Sequence, residues 1–387
     1  MPDENKIKED EEKDNGDAGT LKHATPRMKR KLGLSLLAAF VFFGIFITVS
    51  CVSLYQDKMA ENDYWNKYAS ETTAEQKAEV ASRSENATKV KVAICLEQIR
   101  SIDIKNSTFD VVILAGFRWE NDSSLDFSKD STINFYRGQV KDTQVKDSSV
   151  TDGTYYQMVR YEISINKQFW TPRFPLESHQ LRIYMEPAKT VRDIVLEPDK
   201  DSSYISENIG VTGYNTTRFD VEQVIQHFDT GLLNPDYDSF DRGSDTYITE
   251  VMTAVEVNRD GFGLYFKCFI ALYGTMAWIL LCLYICTYRR VDPLGMVGAA
   301  FFGAVSNIMV GANLVSESLS LGLLEYMNVF GICVILAGVM IVIAINASRK
   351  ERGHEKFAKL YGRAMLIAMT LIVLIANIAM PLSAYMF

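Results

Sequence analysis

The chain has 387 residues, 40 Lys plus Arg against 48 Asp plus Glu, a net charge of −8, and 48% hydrophobic residues. Averages like these describe an ordinary soluble protein of two or three domains, but the charge is unevenly spread. Residues 32–56, 268–288, 293–316, 326–348 and 364–387 carry no charge at all, and each run exceeds the roughly 18 apolar residues that cross a bilayer as a helix. The pattern excludes a soluble globular enzyme and a disordered chain. A pI near 5.3 without a clustered basic surface gives no sign of nucleic-acid binding.

In chain order, residues 1–31 are polar and read as a disordered cytoplasmic tail. Residues 32–56 read as an uncleaved transmembrane anchor, because the polar leader is too long and the apolar run too extended for a signal peptide. Residues 57–88, rich in Glu, Lys and Ala, read as a helical stalk. From Lys89 the texture becomes β. Residues 90–94, 109–117, 156–165, 180–185, 219–228 and 246–257 carry the strand pattern, with turn signals between them. Asp152-Gly153 is the strongest hairpin signal. Many short strands without intervening helix periods predict a β-sandwich over 89–260. Four further spans follow, at 263–288, 294–316, 326–348 and 364–387.

Charge next to the spans sets their orientation. Residues 55–260 hold 35 Asp plus Glu and 23 Lys plus Arg, so 23 − 35 = −12. Positive residues gather at Lys22–Lys31 before the first span, at Arg289 and Arg290, and between Arg349 and Arg363. Lys and Arg are missing from 314–325 and from the C-terminal end. The positive-inside rule then puts the N-terminus in the cytoplasm and the middle segment and C-terminus outside. Of six cysteines only Cys95 falls in the outer segment, so no internal disulfide is expected there.

The stretch Phe174-Pro175-Leu176-Glu177-Ser178-His179-Gln180 resembles the Phe-Pro-Phe-Asp-x-Gln loop of pentameric ligand-gated ion channels, in the prokaryotic branch that lacks the Cys-loop cysteine pair. Other pieces follow in the family's order: the Asp152-Gly153-Thr154 turn upstream, Arg192–Leu196 and Val211–Tyr214 downstream, and Arg259 just before the second span. Trp119, Asp122 and Leu125 are loosely similar to its Trp-x-Asp-x-x-Leu segment. The resemblance covers roughly 89–387 and implies an extracellular Ig-like β-sandwich followed by a four-helix transmembrane bundle, in a homopentamer around one pore. It also implies the cytoplasmic (inner) membrane of a bacterium. The first span has no counterpart in that plan. Glu177 and His179 stand where the family has Asp and Gln, and no Trp-x-Pro segment of the first ligand-binding loop is present.

The resemblance makes residues 294–316 the pore helix. At 3.6 residues per turn, Gly295, Ala299, Gly303, Ser306, Val310 and Asn313 share one face, with Asp292 and Glu317 as carboxylate rings at its ends. Such rings favour permeant cations. The same small residues are also a common way to pack membrane helices closely, and both readings stand. Asn307 and Asn313 are expected to face protein or water. Arg259, with Phe174, Pro175 and Glu177, is expected to form a gating and coupling joint, or else Arg259 simply anchors the helix at the interface. Phe174 and Pro175 are expected to pack against the linker between the third and fourth spans. Tyr237 and Phe240, among five aspartates in 229–245, are the candidates for an unknown small-molecule ligand, with a solvated acidic loop as the plain alternative. The four scattered histidines and the lack of a phosphate-binding Gly loop point away from an enzyme, a cofactor or a metal. The expected function is a ligand- or proton-gated ion channel in the lipid bilayer. The alternative is a non-conducting receptor or interaction protein on the same fold.

Overall fold

The computed structural model describes residues 25–67, 72–228, 246–289, 291–315, 321–350 and 354–385. The tail expected over 1–31 lies outside the described residues up to 24, and from Pro26 onward the chain is helical. Two compact units emerge. A helical unit comprises Met1–Met59, Thr171–Leu176 and Phe262–Phe387, and a β-rich unit comprises Ala60–Trp170 and Glu177–Gly261.

In the β-rich unit the strands are β1 (Thr88–Asp103), β2 (Thr108–Glu120), β3 (Ile133–Phe135), β4 (Gly138–Thr151), β5 (Thr154–Asn166), β6 (Ser178–Pro187), β7 (Ile194–Pro198), β8 (Tyr204–Ile205), β9 (Tyr214–Phe228) and β10 (Thr246–Arg259). One sheet runs β4-β5-β2-β1-β7 with β8 beside β1, and the other runs β3-β6-β10-β9. This is the sandwich-like arrangement expected. Alternation builds its core: Val90, Val92, Ile94 and Leu96 on β1, and Phe109, Val111, Ile113, Ala115 and Phe117 on β2, are all buried. Across the two sheets, the Leu196 amide donates to Thr249 Oγ1 at 2.9 Å. Asp152 and Gly153 both have positive φ, 52° and 80°, so the β4–β5 hairpin turns as the dipeptide predicts. The sequence pattern missed β4 because its residues are polar and exposed almost throughout. Its ladder to β5, with two bulges, holds it in place, and bulges are a usual guard on an edge strand.

The segment expected as a helical stalk, 57–88, is helical over 57–67 and 74–83. Helix α1 (Pro26–Lys67) runs unbroken from the first apolar run into the β-rich unit, and α2 (Ala74–Arg83) follows with a Thr73–Gln76 capping box. The last turns of α1 lie on the β6–β10–β9 sheet. Ser178 Oγ donates to Glu61 Oε2 at 2.9 Å, Gln180 Nε2 to the Glu61 carbonyl at 3.0 Å, and Arg182 Nη2 to the Tyr64 carbonyl at 2.8 Å. The Arg182 guanidinium also stacks 4.0 Å from the Tyr64 ring centre. Trp65 packs with Val224, Met252 and Ala254. β10 is therefore buried on both faces, and Val251, Met252, Thr253, Ala254 and Val255 are all buried.

The helical unit contains the rest of α1 with α3 (Gly263–Tyr288), α4 (Leu294–Leu314), α5 (Leu323–Lys350) and α6 (Glu355–Tyr385). All five helices are long and apolar enough to cross a membrane, and the chain is a multi-pass membrane protein. α3 is the hub. Gly303 of α4, Gly331 and Gly338 of α5, and Gly362 of α6 each lie where a Cβ would run into an α3 side chain: Thr275, Leu272, Ile279 and Thr287 respectively. Missing Cβ atoms let the backbones approach, which is how membrane helices gain packing when burial from water offers none. α1 lies alongside with most of its apolar window exposed. Its inner contacts are Phe43 against Phe330, ring centres 5.5 Å apart, and Lys31 over the Tyr361 ring.

Candidate functional site

The ladder between β6 and β10 ends at Ser178 opposite Asn258. One step further it brings Glu177 beside Arg259, whose backbone N–H donates to the Glu177 carbonyl at 3.4 Å. The side chains meet as well, Arg259 Nε to Glu177 Oε1 at 2.8 Å. Tyr214 OH lies 3.5 Å from the same oxygen, as does His179 Nε2. The Arg259 guanidinium sits 4.1 Å over the Tyr214 ring. Glu177 is 1% exposed and His179 equally buried. Burial alone would push the Glu177 carboxyl up, but the His179 hydrogen bond and the Arg259 charge outweigh it and hold it at about 2. Burial keeps His179 neutral, and the charges of Lys167 and Arg259 act in the same sense. Glu177 is thus a buried carboxylate paired with a cation, and its second oxygen, Oε2, accepts no hydrogen bond among the described residues.

Between Leu176 and Glu177 the chain passes from the helical unit to the β-rich one. On the helical side, Thr171–Leu176 forms a tight loop with a cis Phe174–Pro175 bond and internal bonds from Phe174 N to the Thr171 carbonyl and from Leu176 N to the Arg173 carbonyl. Phe174 and Leu176 are buried. Beside them, the Pro172 carbonyl accepts from Leu323 N, at the start of α5, at 2.6 Å. A Cβ on Gly322 would collide with the Pro172 backbone, so this approach needs glycine. Sequence reading passed over Arg173. It is 1% exposed and donates through Nη1 to the Ala384 carbonyl of α6 at 3.3 Å. A charged residue inside an otherwise apolar, proline-flanked loop is the signal that marks it.

On α4 the structure redraws the expected stripe. Ala300, Ala304 and Asn307 are buried within the chain, and the side-chain amide of Asn307 donates to Asn328 Oδ1 on α5 at 2.8 Å. Gly303 is packed against Thr275 and so belongs to the helix-packing face. Gly295, Ala299 and Asn313 are exposed and Ser306 is half-buried. The most exposed bulky residues beside them are Phe302, at 75%, and Met309, at 65%. Residues 295, 299, 302, 309 and 313, with half-buried 306 among them, follow a four-three spacing, a seam along one side of the helix, and 298, 301, 305, 308 and 312 beside them are exposed as well. The backbone of Val310 is helical, and its side chain lies outside the description. Asn313 Nδ2 donates to its own helix at Met309 O. Asp292, exposed just before α4, accepts from Leu294 N. Glu317, Tyr237 and Phe240 lie outside the described residues.

A second buried acid was missed. Glu250 on β10 is 1% exposed and stands opposite Glu186 on β6, one step beyond the Val251–Met185 pair. Gln226 Nε2 lies 3.4 Å from Glu250 Oε2. Burial first, and then the Glu186 charge, push the Glu250 carboxyl up to about 8. Among the described residues no group of three or more His, Cys, Asp or Glu is placed to hold a metal ion.

No protein-family model matches the chain, and a comparison with curated proteins finds no match.

Two outcomes follow from the buried acids. Glu177→Gln and Arg259→Gln should each destabilise the protein by about 3 kcal/mol, because each strands a buried polar partner. The double variant should fall short of the sum by about 1–3 kcal/mol, and additive losses in denaturant unfolding would mean that the pair is not coupled. For Glu250 the folded pKa lies above the unfolded value, so its stability contribution is complete below about pH 4.5 and is lost as pH rises through about 8. Glu250→Gln should abolish this loss, worth on the order of a few kcal/mol, when melting temperature is followed from pH 5 to 9. An identical pH slope in the variant would refute the assignment.

Proposed function

We propose that the protein is an oligomeric ion channel, gated by a ligand or by protons, of the kind its sequence resembles. The observation that carries this reading is the uncovered face of α4. In a membrane helix, a side chain such as Asn313 is costly against lipid, and its own chain leaves it exposed. Five copies assembled with this face innermost would turn the seam toward water. Ser306, Asn313 and the small residues would line a path, Phe302 and Met309 would narrow it with apolar rings, and Asp292 would add carboxylates at one end. Apolar constrictions close a pore by dewetting, and carboxylate rings favour cations.

The Glu177–Arg259 pair supports the gating half of the reading. It sits on the residue next to a loop embedded in the helical unit and on the last strand before α3. A buried ion pair in which one carboxylate oxygen accepts no hydrogen bond among the described residues leaves room for a second arrangement, as a two-state joint requires. In this reading the N-terminus is cytoplasmic and the β-rich unit lies outside a bacterial inner membrane, as the basic loops suggest.

Planar-bilayer recording of the purified protein tests the proposal, across pH and candidate amines. Unitary currents are expected, with Phe302→Ser raising the resting open probability and Asp292→Asn moving the reversal potential away from the cation value. Silence of both the parent and the Phe302→Ser protein under every condition would favour a non-conducting receptor.

A further inference from the structure

The β-rich unit has an open cleft of about 660 Å³ that no step above uses. Its volume falls in the range of small-ligand sites. Three chain turns meet there: the β1–β2 turn at Asn106 and Ser107, the β3–β4 turn at Arg137 to Gln139, and the end of β5 at Asn166 to Gln168. The backbone ties them together, with Lys167 N donating to the Ser107 carbonyl at 2.8 Å and Asn166 N to the Arg137 carbonyl at 3.0 Å. Arg137 and Ser107 both hold left-handed φ, 56° and 57°, conformations that non-glycine residues keep only where their surroundings impose them.

The lining is one-sided in charge. Arg137 and Lys167 contribute to it and no carboxylate does. Neither cation makes a salt bridge among the described residues. Arg137 rests 5.2 Å over the Tyr136 ring and Lys167 5.8 Å over the Phe169 ring. Asp103, three residues before Asn106, accepts from the Asn106 backbone and side-chain amides at 2.9 and 2.7 Å. Gln139, Asn166 and Gln168 add neutral amides to the wall. A half-buried ammonium without a counter-charge is costly, and burial followed by the Arg182 charge lowers Lys167 to about 8. An anion in the cleft would supply what is missing.

We propose that this cleft binds a small oxyanion, a phosphate or carboxylate group, between the Arg137 guanidinium and the Lys167 ammonium, with side-chain amides completing its hydrogen bonds. A planar guanidinium fork and an ammonium are the usual pair for such groups. The site also reaches the Glu177 joint. The Lys167 charge acts on His179, and Phe169 packs edge-on against the His179 ring at 4.9 Å. An anion on Lys167 would soften the positive field that keeps His179 neutral beside Glu177. That consequence rests on the joint described above, whereas the binding itself does not.

The test is equilibrium dialysis of radiolabelled inorganic phosphate against the full-length protein in detergent, with succinate and a short-chain phosphatidate as competitors. Saturable phosphate binding is expected, weakened roughly tenfold or more by Arg137→Gln and by Lys167→Gln. Lys167→Arg, which keeps the charge, should restore most of it and guards against a folding defect. Displacement by succinate assigns a free anion, and displacement by phosphatidate alone assigns a lipid headgroup. Binding that neither substitution weakens, or no binding of any of the three probes, overturns the proposal. The measurement needs no ion conduction, so its failure and failure of the channel reading are separate results.

Discussion

The apolar stretches of the five helices, residues 32–56, 268–288, 293–316, 326–348 and 364–387, contain no charge, and hydrocarbon supplies no hydrogen bonds. Every polar side chain left in those helices must therefore find its partner in protein or in water. Most do so within the chain. Ser50, Thr275 and Thr370 donate to carbonyls one turn back, Trp278 donates from α3 to the Met296 carbonyl of α4, and Asn307 pairs with Asn328. Asn313 donates one turn back too, to the Met309 carbonyl, yet it stays exposed on α4, near Ser306 and a row of small residues. In the proposed channel, other copies and the water between them cover that face.

The N-terminal helix accounts for a feature that the four-helix plan lacks. Because its last turns lie on the β6–β10–β9 sheet, β10 is buried on both sides and can hold Glu250 away from water. The same turns hold Ser178, Gln180 and Arg182, the β6 residues immediately after Glu177. The strand that begins beside Glu177 is thus held by the last turns of the N-terminal helix. The Glu177 pair and the Glu250–Glu186 pair answer pH in opposite directions, since one acid is stabilised ionised and the other protonated.

Much of this was legible in the sequence, for identifiable reasons. The spans followed from gaps in charge, and β1, β2, β5, β6, β9 and β10 from apolar residues at every second or every position. Asp152-Gly153 gave its hairpin because that dipeptide tolerates positive φ. The nearness of Glu177 and Arg259 was suggested only by resemblance, since 82 residues separate them. β4 was illegible because it has no apolar face, its partner strand supplying all its order. The docking of α1 was hidden because a Glu- and Lys-rich helix reads as solvated until Trp65 and Tyr64 are seen against the sheet. Gly303 misled because a Gly every few residues suits a pore wall and a helix contact equally, and only the position of Thr275 decides between them.

Cysteine accessibility along α4 tests the central claim most directly. With the six native cysteines replaced, single cysteines at 299, 306 and 313 should react in native membranes with a charged, membrane-impermeant methanethiosulfonate. Cysteines at 300, 304 and 307 should not. Equal protection of both sets, or reaction of the second set alone, would place the seam against lipid or protein and contradict the account of α4 as the wall of a water-filled path.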